Sequence, residues 1–133
     1  MTDIYLTSTF TNSWNVSFNP KIGEALENAR FSCYLPHRDT NQKGSPFEIF
    51  SSDLEGIKNT KCILGIAINE SPNWGAELGY AYNLQKPIIA LKAKDHNIPL
   101  ICNEMITETF SVNNLDEIEN YIQNLIEVLR KYL

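Results

Sequence analysis

Glu77 lies in the stretch Asn69-Glu70-Ser71-Pro72-Asn73-Trp74-Gly75-Ala76-Glu77-Leu78-Gly79-Tyr80-Ala81, between an apolar run and Lys86-Pro87-Ile88-Ile89-Ala90-Leu91. The pattern predicts strand, tight polar turn, helix, strand. Ser71 or Asn73 is the expected N-cap, with Pro72 or the small residues after it in the first helical positions. Glu77 is then expected close to the positive end of the helix, where unpaired backbone N–H groups and the macrodipole favour an ionised carboxylate. Open α/β sheets bind ligands at the carboxyl edge of their strands, so an acid there is sited for chemistry. The same position also suits an acid that only compensates the dipole. Three hydroxyls, Thr7, Ser8 and Thr9, close the first predicted strand, Ile4 to Leu6, and should open at that same edge.

The elements that must position these groups follow from periodicity. Thr11 to Asn15 is a polar loop, and Asn19-Pro20 is expected to start a helix with apolar positions Ile22, Leu26 and Ala29. Phe10 and Trp14 stand where a planar ligand would stack, or where an aromatic plugs the packing. Phe31 to Leu35 is the second strand, stopped by Pro36. His37 to Pro46 reads as a polar loop of lid or substrate-loop length, with His37 and Arg38 at its start as ligand contacts or solvated charges. Phe47, Phe50, Leu54 and Ile57 make an apolar helical stripe, with Asp53 beside it. Cys62 to Ile68 is nearly unbroken apolar sequence, which implies a strand buried on both faces and hence a parallel sheet covered by helices. Pro87 to Leu91 is the next buried strand, Ile98 to Met105 a mixed apolar segment, and Ile106 to Val112 alternates like an edge strand. A single amphipathic helix is expected from Leu115 to the end. The predicted architecture is a flavodoxin-like or Rossmann-like doubly wound five-stranded parallel sheet, ordered 2-1-3-4-5, with helices on both faces and the last strand parallel or antiparallel.

Composition narrows the functions available. At 133 residues and 43% hydrophobic, the chain is expected to form one domain over 1–133 with an ordinary core. Neither the apolar and basic regions of a signal peptide nor a run of membrane-spanning length is present, so a cytoplasmic setting is expected. Cys33, Cys62 and Cys102 are odd in number and set among apolar neighbours, as for free buried thiols. No metal or organic cofactor is implied. A net charge of −5 without a Lys/Arg cluster argues against a nucleic-acid polymer as partner. Neither G-x-G-x-x-G after the first strand nor G-x-x-x-x-G-K-[ST] occurs, although the hydroxyls of Thr7 to Asn12 leave a flavodoxin-like phosphate loop open.

Taken in order, Tyr5-Leu6-Thr7-Ser8-Thr9-Phe10, Leu35-Pro36-His37-Arg38, Asp53, Glu77-Leu78-Gly79-Tyr80-Ala81 and Lys86-Pro87-Ile88-Ile89 resemble the nucleoside 2-deoxyribosyltransferase family. The resemblance runs from Ile4 to about Met105. It implies that Glu77 is the nucleophile and that Asp53 helps bind the base and handle its proton. It also implies that Asn103 of Asn103-Glu104-Met105 crosses a subunit interface to orient the glutamate, making the protein a homo-oligomer. The implied partners are a nucleoside or nucleotide and a free nucleobase, with no membrane.

The chemistry of those roles is general. Breaking an N-glycosidic bond builds oxocarbenium character at C1′, which a carboxylate stabilises or captures, while a second acid protonates the departing base. At the turn before Glu77 the chain departs from many transferases: Ser71 replaces an aspartate, and Asn73 and Trp74 replace a Gly-Thr pair. The related 2′-deoxynucleoside 5′-monophosphate N-glycosidases, in which a serine six residues before the glutamate binds the 5′-phosphate and a glycine stands two before it, match at Ser71 and Gly75. The Asn-x-Met pattern favours the transferase branch. Transfer is therefore the leading expectation, with hydrolysis of a deoxynucleoside 5′-monophosphate and non-catalytic nucleotide binding as alternatives.

Overall fold

The computed structural model describes residues 1–133, and its organisation follows from the central apolar strands. β1 (Thr2–Thr7), β2 (Cys33–Tyr34), β3 (Thr60–Ile66), β4 (Ile88–Ala93) and β5 (Glu108–Val112) form one sheet in the order β2-β1-β3-β4-β5. The register pairs Tyr5 with Ile63 and Ile63 with Ile88 across the centre. All four pairings are parallel, β5 included, which removes the antiparallel option for the last strand. The reason is the crossover: the chain after β4 returns through a short helix, α5 (Leu100–Met105), and so re-enters the sheet in the same direction.

Helices cover both faces. On one, α1 (Ser13–Asn28) and α6 (Ile122–Arg130) bury Ile22, Leu26, Leu125 and Leu129 against Ile4, Leu6 and Leu64. On the other, α3 (Pro46–Lys58) and α4 (Pro72–Asn83) bury Ile57, Trp74, Leu78 and Ala81 against Tyr5, Ile63 and Ile88. Successive β1 side chains therefore serve opposite layers, as the two-residue strand period requires. No helix is long and apolar enough to cross a membrane.

Three local expectations change. The first helix starts at Ser13 rather than Asn19, because the Asn12 side chain accepts from the Trp14 N–H and caps it. Pro20 then lies inside α1, on its exposed face, where the carbonyl left without a donor is open to water. The expected polar loop after β2 begins with a helical turn, α2 (Pro36–Asp39), with Pro36 at its first position. The final helix is broken: Leu115–Tyr121 is a 3₁₀ segment, kinked at Glu117, before α6 begins. Its inward residues Leu115, Ile118 and Tyr121 recur every third position, which matches three residues per turn rather than 3.6.

Candidate active site

Glu77 is the sixth residue of α4, beyond the first turn, so the helix dipole contributes less there than its expected place at the helix start implied. Two hydroxyls hold it instead. Tyr5 Oη donates to Glu77 Oε2 at 2.7 Å and Thr7 Oγ1 donates to Oε1 at 2.7 Å. Both donors alternate with core residues along β1, and the parallel β1–β3–α4 connection brings them under the helix. Burial pushes the Glu77 carboxyl above its ordinary value, the two hydroxyl bonds act against that shift, and the charge of Asp53 adds to it. Tyr5 is fully buried, and burial with the Glu77 charge holds its phenol far above the usual range, so it remains a donor.

Asp53 projects from α3 into the same cleft. Thr40 Oγ1 lies 2.6 Å from Asp53 Oδ1, and Tyr34 Oη lies 2.6 Å from Thr40 Oγ1. Burial raises the Asp53 carboxyl above its ordinary value against the opposing Thr40 bond, the direction for an acid that keeps its proton to higher pH. The rings of Tyr5 and Tyr34 stack at 5.4 Å with a 10° interplanar angle. Gly56 permits this, since a Cβ there would come within 3.0 Å of both rings.

The cleft measures about 280 Å³. Thr7, Ser8, Thr9, Phe10 and Thr11 line it from the end of β1, and Pro36 and Gln42 from around α2. Ile49 and Asp53 of α3, with Ser71, Asn73, Trp74 and Glu77 at α4, complete the wall. Both ionisable side chains in that wall are carboxylic acids; Lys, Arg and His are missing from it. Trp74 anchors the end of β1 by donating its indole N–H to the Thr7 carbonyl at 3.2 Å. A partly buried polar network joins the two loops above the sheet. Thr9 Oγ1 donates to the Asn69 carbonyl at 3.0 Å and accepts from the Ser71 N–H at 3.2 Å, while Asn69 donates to Asn15 Oδ1 at 3.0 Å. Asn69 takes φ 53°, in the left-handed region that asparagine tolerates. Ser71 is the N-cap by position, yet its side chain makes no capping bond and faces the cleft.

Of the residues singled out from sequence, Thr7, Ser8, Phe10, Asp53, Ser71, Asn73 and Glu77 meet around this cleft, with Tyr5 beneath it. The rest lie elsewhere. Trp14 stacks on Phe18 at 4.6 Å and donates to Asp116 at 2.8 Å, on the α1 side of the sheet, so it plugs packing. Arg38 is bound to Glu27, Asp39 and the Cys33 carbonyl, clamping α1, β2 and α2 together, and His37 is outside the cleft wall. Gly75 faces Cys102 of α5, where a Cβ would make ordinary contact at 3.4 Å. Asn103 is exposed on α5, and Met105 packs at a separate groove between α4 and α5. Sequence reasoning missed Gln42, Ile49, Trp74 and the Thr40–Tyr34 pair as site components. The expected substrate loop included Thr40 and Gln42, but nothing in its composition singled them out.

A second cavity of about 640 Å³, walled by Phe50, Leu54, Ala76 and Tyr80, opens beside the cleft and shares Asp53 and Glu77 with it. Nearby Phe47 and Phe50 are 75% and 56% exposed. No group of three or more His, Cys, Asp or Glu side chains is placed to hold a metal ion.

These features define a flavodoxin-like α/β protein with two carboxyl groups in a cleft at the carboxyl edge of its sheet. The chain belongs to the nucleoside 2-deoxyribosyltransferase family, whose model matches residues 4–125. A 2-deoxyribosyltransferase from Bacillus psychrosaccharolyticus is 25% identical, with a TM-score of 0.73 over 90% of this chain and 91% of that one. Two further structures share the fold. A conserved protein from Enterococcus faecalis V583 is 17% identical, with a TM-score of 0.81 over 100% of this chain and 99% of that one. A CMP N-glycosidase from Clostridium botulinum is 19% identical, with a TM-score of 0.73 over 95% and 98% of the two chains. No curated protein sequence matches this chain.

Proposed function

We propose that residues 1–133 act as one catalytic domain that cleaves the N-glycosidic bond of a 2′-deoxyribonucleoside and transfers the deoxyribosyl group to a second nucleobase. The observation that supports this most is Glu77, its two oxygens fixed by neutral hydroxyl donors in a cleft shared with the acid Asp53. In this mechanism a Glu77 oxygen bonds to C1′ as the C1′–N bond breaks, its electron pair leaving with the base, and Asp53 protonates that base. An incoming base then displaces Glu77 from C1′ and returns a proton to Asp53. Two inversions give overall retention. Ser71 and Asn73 supply uncharged hydrogen-bonding groups for the sugar and Phe10 an aromatic face, while the Ser8 hydroxyl donates to Asn19 Oδ1 at 2.6 Å and accepts from Asn15 at 3.2 Å. The chemistry needs no metal or organic cofactor.

Hydrolysis of a deoxynucleoside 5′-monophosphate is the second reading, favoured by the uncommitted Ser71 hydroxyl. The absence of Lys, Arg and His from the cleft wall weighs against it, because a phosphate beside two carboxyl groups lacks a compensating cation there. A non-catalytic nucleotide-binding role would leave the Asp53–Glu77 pairing without a purpose. Chromatography of the protein incubated with deoxyadenosine, deoxyinosine, thymidine and their 5′-monophosphates, with and without free cytosine or adenine, separates the three. A new deoxynucleoside formed only with acceptor base is the expected result. Free base released only from monophosphates would establish the hydrolase and make Ser71 a phosphate ligand, and retention of ligand without product would leave a binding module.

The same proposal takes the active protein to be a homo-oligomer in which a partner's Asn103 reaches the cleft, and places it in the cytoplasm. The apolar opening beside Glu77 and the exposed Phe47 and Phe50 support self-association. Sedimentation of the active protein should show a dimer or larger, and Asn103→Ala should reduce transfer while leaving the fold intact. A strictly monomeric active species contradicts the assignment of Asn103.

A further inference from the structure

The Asp53 carboxyl is held on one side only. Thr40 Oγ1 engages Oδ1 at 2.6 Å, and no other protein group bonds to Asp53, which leaves Oδ2 for the cleft it lines. Thr40 has one hydroxyl proton. When that proton goes to Oδ1, Tyr34 Oη, 2.6 Å from Thr40 Oγ1, must be the donor in its own contact with Thr40. The alternative acceptor for Tyr34, the Ser52 carbonyl, is farther away at 3.4 Å. The chain then runs in one direction, from Tyr34 to Thr40 to Asp53 Oδ1.

That direction has a chemical consequence. Oδ1 is already an acceptor, so a proton added to Asp53 sits on Oδ2, the oxygen free to meet a ligand. The Thr40 hydroxyl is not needed to hold its own loop. The Thr40 backbone N–H bonds to Pro36 at 3.2 Å, and α2 is clamped by Asp39 on the Leu35 N–H at 2.9 Å and by Arg38 on Glu27. Tyr34 is fixed by its stack on Tyr5, so each ring of one rigid pair starts a hydrogen-bond path to one of the two acids.

Resting on the transfer reading above, we propose that Tyr34 and Thr40 are positioning residues that direct the acid proton of Asp53 to Oδ2 for delivery to the departing base. As the C1′–N bond breaks, its electron pair goes to the base nitrogen, the Oδ2 proton follows to the base, and Glu77 bonds to C1′. Asp53 is left as a carboxylate, stabilised by Thr40. The incoming base returns a proton to Oδ2 when it attacks. The titratable groups that face Asp53 are Glu77 from α4, Tyr5 from β1 and Tyr34 from β2.

Thr40→Val, Thr40→Ser and Tyr34→Phe in the full chain test the relay, with kcat and KM followed against pH for a 2′-deoxyribonucleoside and for a nitrophenyl deoxyriboside. The aryl group departs without being protonated. Thr40→Val should lower kcat on the nucleoside about ten- to a hundredfold, part of the roughly 10²–10⁴-fold available from general acid catalysis, with KM little changed. Its loss on the aryl glycoside should be at least about tenfold smaller. Thr40 donates to the charged form of Asp53, so its removal favours the neutral form and moves the alkaline limb of kcat/KM to higher pH. The carboxyl ¹³C resonance of Asp53 should titrate in the same sense. Thr40→Ser should restore all three readouts, and Tyr34→Phe should shift them in the Thr40→Val direction. Equal losses on both substrates, or an unmoved limb, overturn the relay alone. A parent protein inactive on both substrates overturns the transfer reading and the relay together.

Discussion

Glu77→Gln should reduce deoxyribosyl transfer by about 10³-fold or more while leaving the protein at least as stable at neutral pH. The two halves of this expectation have one cause. Gln has nearly the shape of Glu and retains a carbonyl oxygen for one of the Tyr5 and Thr7 hydroxyls, while its NH₂ donates to the other. It cannot act as the anionic nucleophile. Burial raises the Glu77 carboxyl, so the folded state binds its proton more tightly than the unfolded chain does. The associated stability is fully present below the unfolded value and is lost as pH rises through the folded one. At neutral pH the buried carboxylate therefore opposes folding relative to its protonated form, and Gln removes that penalty. Melting temperatures of parent and variant should differ most near pH 7 and converge in mild acid. Mass spectrometry of acid-quenched parent should show a deoxyribosyl adduct on the peptide containing Glu77, missing in the variant. A variant that still turns over would remove Glu77 from the nucleophile's role, and one that melts well below the parent at pH 7 would contradict the burial penalty on its carboxylate.

Asp53→Asn carries the second large effect. It keeps the size of the side chain and an acceptor for Thr40, but removes the proton that the base needs to depart. Transfer from natural deoxyribonucleosides should fall by about 10²–10⁴-fold, the usual range for a lost general acid. The alkaline limb of the parent's kcat/KM profile, which falls as Asp53 loses its proton, should disappear. Burial raises the Asp53 carboxyl, so that limb should lie above the ordinary aspartate range. With the nitrophenyl deoxyriboside the loss should be much smaller. Comparable losses on both substrates would make Asp53 a binding group rather than an acid.

Both residues are held by contacts that the chain assembles from afar. Tyr5 and Glu77 are 72 positions apart, and only the parallel pairing of β1 with β3, followed by α4, brings the phenol under the carboxyl group. The helix dipole, the local reason to expect an ionised Glu77, is secondary because α4 begins at Pro72 and puts Glu77 in its second turn. The hydroxyls do that work, and burial opposes it. Trp14 shows the reverse case. Its polar surroundings left ligand stacking and a packing plug both open, and the fold decides for packing: Asn12 starts α1 early and turns the indole toward Phe18 and Asp116.

By itself the sequence determined the strand order, the parallel sheet, the helix layers and Glu77 at the carboxyl edge of the sheet, whereas Asp53 was singled out only by the family resemblance. These follow from short-range physics: a continuous apolar run from Cys62 must be covered on both faces, helical stripes repeat at 3.6, and right-handed crossovers send successive strand ends to the same side. The direction of β5 came from a short crossover helix that composition did not reveal. The tertiary structure alone decided which polar residues share the cleft. Arg38 had charge to offer a ligand, yet folding spends it on Glu27 and Asp39, whereas Thr40 and Gln42 in an unremarkable loop come to rest at the site. Side-chain hydrogen bonds act over about 3 Å, so their partners are set by where elements pack, and residue type alone cannot name them.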